Sequence, residues 1–212
     1  ELGMKEDALQ MRSMASHAIN AVEKKLWSES GGAYFDWREG KSGPLTQDTS
    51  LYIVAITENT TLDVIGRKLG LDKTKEEMIP RDFAKRANRA LDTIQKRIWK
   101  NNWPLVTEDP LEKTGPWTLQ PNQYHNHTLW PWTTGLEMLA RSRLGRAQEC
   151  TSLLKILASQ DSQSTTRAFY EWVNPITNKG SGAYPFRTGI SAIRIAITDI
   201  LAQVGELPIR NE

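Results

Sequence analysis

The chain has 212 residues and carries 27 Lys and Arg against 25 Asp and Glu, a net charge of +2, so it lacks the concentrated positive field that recruits nucleic acid or an anionic membrane surface. Hydrophobic residues at 39% and charged residues at 25% describe a globular chain rather than a disordered or fibrous one, and the length suits a single domain over 1–212. Its one cysteine, Cys150, excludes an internal disulfide and a multi-cysteine zinc site, and no apolar run reaches the roughly 18 residues of a membrane span; a reducing, cytoplasmic setting is the expectation.

The first ten residues carry no apolar signal core, so the chain is expected to begin inside a larger protein. Residues 5–27 place Ala8, Met11, Ala15, Ala18, Val22 and Leu26 three and four apart, which predicts an amphipathic helix with this face buried. Gly31-Gly32 ends it, and the string from Ala33 to Trp37 and a turn at Gly40 to Pro44 follow. A second helix is predicted over 48–58 and a third element over 61–68, closed by Gly70. Pro80 stands where a helix start tolerates proline, ahead of a helix over 81–99 whose Ala84, Ala87, Leu91, Ile94 and Ile98 mark one face.

Residues 100–126 read as a long irregular stretch, and loops of that length are often binding loops. Thr128 is expected to cap a helix containing Leu129, Trp132, Leu136 and Leu139, while Gly145 separates it from a helix over 147–160 that turns Leu153, Leu154 and Leu157 to a core. A second irregular segment covers 161–187. The last helix starts near Thr188, and Ile190, Ala192, Ile193, Ile195, Ala196, Ile197 and Ile200 make it apolar nearly all round, as an enclosed helix would be. No period of two persists, so any sheet is limited to short ribbons. The expected class is all-α: about six helices in antiparallel pairs joined by long aromatic-rich loops.

Five of the 8 tryptophans, Trp103, Trp117, Trp130, Trp132 and Trp172, fall between residues 103 and 172, where flat faces could stack on sugar rings or simply fill a core. One loop holds Gln120 to His127 followed by Trp130-Pro131-Trp132, a concentration of planar hydrogen-bonding and stacking groups suited to a polyhydroxylated ligand. Another holds Glu171 between Tyr170 and Trp172, followed by Gly180 to Phe186. A carboxylate among bulky aromatics is placed to deprotonate water, since partial desolvation sharpens it as a base. Arg187 could bind a sugar hydroxyl or pair with Glu171. His125 and His127 are two apart, so in an extended loop they point to opposite sides, a poor arrangement for one metal ion; neither a metal nor a cofactor is expected. Asn59-Thr60-Thr61 and Asn126-His127-Thr128 fit the glycosylation triplet, which also arises by chance.

The string Tyr124-His125-Asn126-x-x-Leu129-Trp130-Pro131-Trp132-x-x-Gly135 resembles a segment of amylo-α-1,6-glucosidase-like proteins and, more distantly, of trehalases, neutral invertases and processing α-glucosidases. Phe169-Tyr170-Glu171-x-x-Asn174-Pro175, followed by Gly182 and Phe186-x-Thr188-Gly189, is similar to their base-carrying segment, and Leu26-Trp27 with Gly32, Tyr34 and Asp36 resembles a third. The matches keep the families' order. The resemblance implies an (α/α)6 toroid of twelve helices, of which this chain would be the C-terminal half, and inverting hydrolysis of a glycosidic bond, with an α-glucosidic linkage in an oligosaccharide as the expected substrate. It implies that Glu171 is the general base and that Tyr124, His125, Asn126 and Trp130 line the sugar pocket; Trp37, Trp132, Trp172, Tyr184 and Arg187 complete the candidate sugar contacts.

Two departures stand out: His127 replaces a glycine, and the general acid of these families lies upstream of the third segment, outside this sequence. Asp36 and Asp48 are the carboxylates that could replace it, although turn ordering and helix capping account for both. A partner supplying the other half-barrel, or a second copy of the chain, is therefore expected. A non-catalytic carbohydrate-binding or assembly role is the alternative, and an isomerase using His125 and His127 as proton carriers is a third reading.

Overall fold

The computed structural model describes residues 5–37, 43–57, 80–110, 120–161 and 169–204. Among these, six α-helices dominate: α1 (Lys5–Lys25), α2 (Thr49–Thr57), α3 (Phe83–Arg97), α4 (Pro131–Arg143), α5 (Cys150–Asp161) and α6 (Arg187–Val204), with a short 3-10 turn, Ala147–Glu149, leading into α5. The chain is mostly α, as its periodicity indicates. The expected element over 61–68, the glycosylation triplet at 59–61 and Trp117 lie outside the described residues.

A simple unit recurs three times. Each of α1, α3 and α5 is followed by a two-stranded antiparallel ribbon and then by α2, α4 or α6. The ribbons are β1 (Trp27–Ser28) with β2 (Ala33–Tyr34), β3 (Trp99–Lys100) with β4 (Trp103–Pro104), and β5 (Trp172–Asn174) with β6 (Lys179–Ser181), and each opens on a tryptophan. Their turns use left-handed residues, Gly32, Asn101, Asn102 and Asn178, the types that tolerate positive φ.

The segments that enter the helices are stitched together. Thr46 bridges Thr107, Leu105 bridges Leu129, and Leu129 bridges Val173, all antiparallel. The amide of Gln47 donates to the Val106 carbonyl at 2.9 Å, that of Val106 to Thr128 at 2.8 Å, and Leu129 and Val173 exchange bonds of 3.1 and 2.8 Å. This row sets the entries to α2 and α4 beside the third ribbon.

Helix α4 is the centre of the packing, with ten of its 13 residues buried, and it lies against both α2 and α6. Its start differs from the expected one. Trp130, in extended conformation, is the N-cap, and Pro131 takes the first helical position, where its missing N–H costs nothing. Thr128 caps no helix; its hydroxyl donates to the Tyr124 carbonyl, and Leu129 stays outside the helix in the row of bridges. The α4–α6 crossing depends on Gly135, where a Cβ would lie 2.8 Å from the Ala192 carbonyl carbon and 2.9 Å from the Ile193 nitrogen.

Two expected faces are not covered. On α1, Leu9, Met11 and Met14 are 50%, 65% and 57% exposed, and Ala15 and Ala18 are exposed as well. The apolar spacing is real, but among the described residues the helix is packed near its C-terminal end, through Ile19, Val22 and Glu23. There Glu23 accepts from the Tyr34 and Tyr52 hydroxyls at 2.8 and 2.7 Å and pairs with Arg86 at 2.7 Å. On α6, Ile193 and Ala196 are buried against α4, yet Ile190 and Ile195 are exposed, so the helix is not enclosed on all sides.

Candidate functional site

The loop from Gln120 to Trp130 is wound tightly, with Asn122, Tyr124 and His127 all at positive φ, 62°, 49° and 62°. Hydrogen bonds hold it in that shape. The Tyr124 carbonyl accepts from the Trp130 indole at 2.9 Å and from the Thr128 hydroxyl, and the Asn126 amide donates to Gln123 at 2.9 Å. As a result three rings meet. His125 stacks on Trp130 with centroids 4.0 Å apart and planes 16° from parallel, Tyr124 stands edge-on to both, and Phe186 closes the far side of Trp130 at 6.0 Å. Tyr124 is 40% exposed, so the group keeps an open face.

Glu171 reaches this group through the backbone row. Val173 is fixed to Leu129, one residue before Trp130, and two residues back along the chain, just ahead of β5, stands Glu171, half-buried. Its Oε2 accepts the Ala183 amide at 3.0 Å, and its own amide donates to the Ala183 carbonyl at 3.0 Å. Among the described residues Oε1 accepts no hydrogen bond. Gly182, at φ 78°, makes room: a Cβ there would fall 2.3 Å from Oε2. Burial holds the His125 imidazole below the usual histidine range, while the Glu171 charge draws it the other way. Tyr170 and Tyr184, either side of Glu171 along the chain segment, pack ring against ring at 4.5 Å.

The structure thus brings Tyr124, His125, Trp130 and Phe186 together, with Glu171 two residues from the Val173–Leu129 bridge at the end of their loop. Asn126 is 3% exposed and forms part of the loop's interior. Trp172 lies half-buried on β5, and Trp132 half-buried in the first turn of α4, outside the ring contacts of Trp130. Trp37 is 55% exposed on a different loop. Arg187 is exposed at the start of α6 and pairs with no carboxylate among the described residues, so a salt bridge to Glu171 is not formed. Phe186 is the ring that the sequence singled out least, although it closes the Trp130 face.

Neither any protein-family model nor any curated protein matches the sequence.

His127 occupies a left-handed position, where a glycine would sit without strain, and its side chain is not idle. Nδ1 lies 3.0 Å from the Thr107 carbonyl; a carbonyl only accepts, so this nitrogen carries the proton. Burial lowers its pKa, partly offset by that bond. His125 therefore faces the rings while His127 tethers the loop to the β4 segment.

A second acidic pair lies on the α2 side. The Thr46 hydroxyl donates to Asp36 Oδ1 at 2.6 Å and accepts the Asp48 amide at 3.3 Å. Burial raises the pKa of both carboxyls, and the Asp48 charge raises that of Asp36 further. Three chain crossings separate Thr46 from Val173 along the bridge row, roughly 14 Å of backbone at about 4.8 Å per crossing. Asp36 is turned onto its own loop by Thr46, which is the ordering role expected of it. Among the described residues no group of three or more His, Cys, Asp or Glu is arranged to hold a metal ion, and no helix is long and apolar enough to cross a membrane.

Proposed function

We propose that this chain supplies the general base and part of the sugar pocket of an inverting glycoside hydrolase acting on α-glucosidic linkages. The observation that supports the reading is the Leu129–Val173 pairing, which ties the segment of Glu171, whose Oε1 accepts no hydrogen bond among the described residues, to the end of the loop that carries the Tyr124, His125 and Trp130 rings. A pyranose presents an apolar face that can stack on the exposed Tyr124 phenol and a rim of hydroxyls that the exposed His125 imidazole can meet, with the buried Trp130 supporting both rings. In this reaction Oε1 takes a proton from a water whose oxygen bonds to the anomeric carbon. The glycosidic C–O bond breaks on the opposite side, and its oxygen leaves with a proton from a second carboxyl group roughly 6.5–9.5 Å away.

That second group and the rest of the pocket are assigned to a complementary half of an (α/α)6 ring. The support for this is the uncovered apolar surface on the first and last described helices, Leu9, Met11 and Met14 on α1 and Ile190 and Ile195 on α6, since exposed apolar patches of this kind mark contact surfaces. Light scattering behind size exclusion is expected to show association of the isolated chain; a stable monomer at high concentration removes this part of the proposal.

The catalytic part is tested with Glu171→Gln in the complete protein, assayed on gluco-oligosaccharides. Gln keeps an oxygen for the Ala183 amide but cannot take a proton, so turnover is expected to fall by at least about 100-fold, as for loss of a general base, with sugar binding retained. Full turnover in the variant would remove Glu171 from the mechanism. Saturable sugar binding with no turnover by the unaltered protein would instead favour a carbohydrate-binding role.

A further inference from the structure

The loop that carries Tyr124 and His125 is held in an unfavourable shape, and the residues that hold it belong to the strand that carries Glu171. Asn122, Tyr124 and His127 sit at positive φ, where residues with a Cβ are strained and only Asn is well tolerated. Such a loop unwinds unless its surroundings fix it at both ends. At its C-terminal end the fixing is done by Leu129, paired in both directions with Val173. At its N-terminal end it is done by the next residue of the same strand, Asn174, whose Nδ2 donates to the Asn122 carbonyl at 2.9 Å.

The other end of the Asn174 side chain serves a separate purpose. Its Oδ1 accepts the amides of Ile176 and Thr177 at 2.9 and 3.0 Å, forming the turn that joins β5 to β6. One amide group therefore closes the ribbon and also clasps the ring-bearing loop. Neighbouring residues, Val173 and Asn174, supply both anchors, so the two ends of the ring-bearing loop are held by two consecutive strand positions that closely follow Glu171.

We infer that Asn174 is the positioning residue of this site, fixing the Tyr124–His125 loop against the Glu171 strand through the Asn122 carbonyl. This deepens the proposed function, and its relevance to a sugar rests on that reading; the clasp itself does not. Without it the loop relaxes from its Asn122 end while the Leu129–Val173 pair stays closed. The Trp130 indole N–H then loses one of its two acceptors, the Tyr124 carbonyl inside the released stretch, while the other, the Thr128 hydroxyl, loses its own bond to that carbonyl.

The test uses hydrogen exchange of the sugar-free protein followed by NMR, with two variants. Asn174→Asp keeps the acceptor for Ile176 and Thr177 and sets a carboxylate oxygen against the Asn122 carbonyl. Asn174→Ser keeps a neutral, shorter acceptor that cannot reach Asn122. In both, the Trp130 indole proton is expected to exchange about tenfold faster, the size of one hydrogen bond's net contribution, while the Leu129 and Val173 amides keep their protection. Unchanged indole exchange in Asn174→Asp overturns the inference. So does loss of protection at all three positions together, by unfolding or by opening of β5, because Asn174 would then be holding the ribbon alone. Since no sugar is present, the result stands apart from whether Glu171 hydrolyses anything.

Discussion

Glu137 and Glu171 both lie close to tryptophans, and the structure treats them in opposite ways. Glu137 is fully buried in α4, and its oxygens are saturated: Gln47 donates at 2.6 Å, the Trp99 indole at 3.1 Å, and Arg141 through Nε and Nη2 at 3.0 and 2.7 Å. Arg141, also fully buried, lies 5.0 Å over the Trp99 ring, pairs with Glu149 and donates to the Leu91 carbonyl at 3.1 Å. Among the described residues Glu171 accepts one amide, on Oε2, and its Oε1 accepts none. A buried carboxylate with both oxygens engaged is an element of architecture; a half-buried one with an oxygen to spare is the one the proposal assigns to chemistry.

The largest expected difference between them is in stability. Glu137→Ala strands the buried Arg141 charge and should cost about 3–5 kcal/mol, read from the urea midpoint. Glu171→Gln, the variant that removes the proposed base, should stay within about 0.5 kcal/mol. Similar losses from the two substitutions would erase the contrast. Next in size is Gly182→Ala. Its Cβ would displace the Glu171 carboxylate and the residue would strain a φ of 78°, costing roughly 1–2 kcal/mol in stability. Turnover should fall about 100-fold more, as for an ångström-scale misplacement. A variant that loses stability but keeps its rate would show that Oε2 need not be held by this turn.

The smallest effect is the response to mild acid, which belongs to the site alone. His125 and His127 are depressed below the usual 6.5, so the unfolded chain takes up their protons first. Their contribution is complete above pH 6.5 and is lost as pH falls through the lowered folded values. Unfolding measured across that limb should flatten in His125→Gln relative to the unaltered chain. An unchanged slope would mean that the stack on Trp130 does not set the imidazole's protonation.

The contrast also explains what the sequence disclosed. Helices α3 and α4 were legible because their apolar residues recur at helical spacing, and proline and glycine mark their ends. Glu137 and Arg141 were not, since charged residues on a helix read as solvated unless a partner four residues away is known to be buried with them. Leu136, one of the apolar residues that marked the helix, is half-buried beside them. The ribbons were too short for a period of two to show. On α1 the spacing gave the face correctly and its covering wrongly, because periodicity reports which side is apolar and is silent about what lies against it. The aromatic loops announced themselves by composition, whereas the joining of the Tyr124 loop to the Glu171 segment depends on the pairing of Leu129 with Val173, 44 positions apart in the chain, which no local pattern encodes.

That same row of bridges governs the order of assembly. Thr46, Thr107, Leu129 and Val173 are drawn from distant stretches, so each bridge closes a long loop, and the entropy of closure must be met before the pairing stabilises anything. The hairpins β1–β2, β3–β4 and β5–β6 close over a few residues and can form early. The Glu171 segment and the ring-bearing loop, by contrast, come into register only when Leu129 pairs with Val173 across 44 positions, which makes their arrangement a late product of folding.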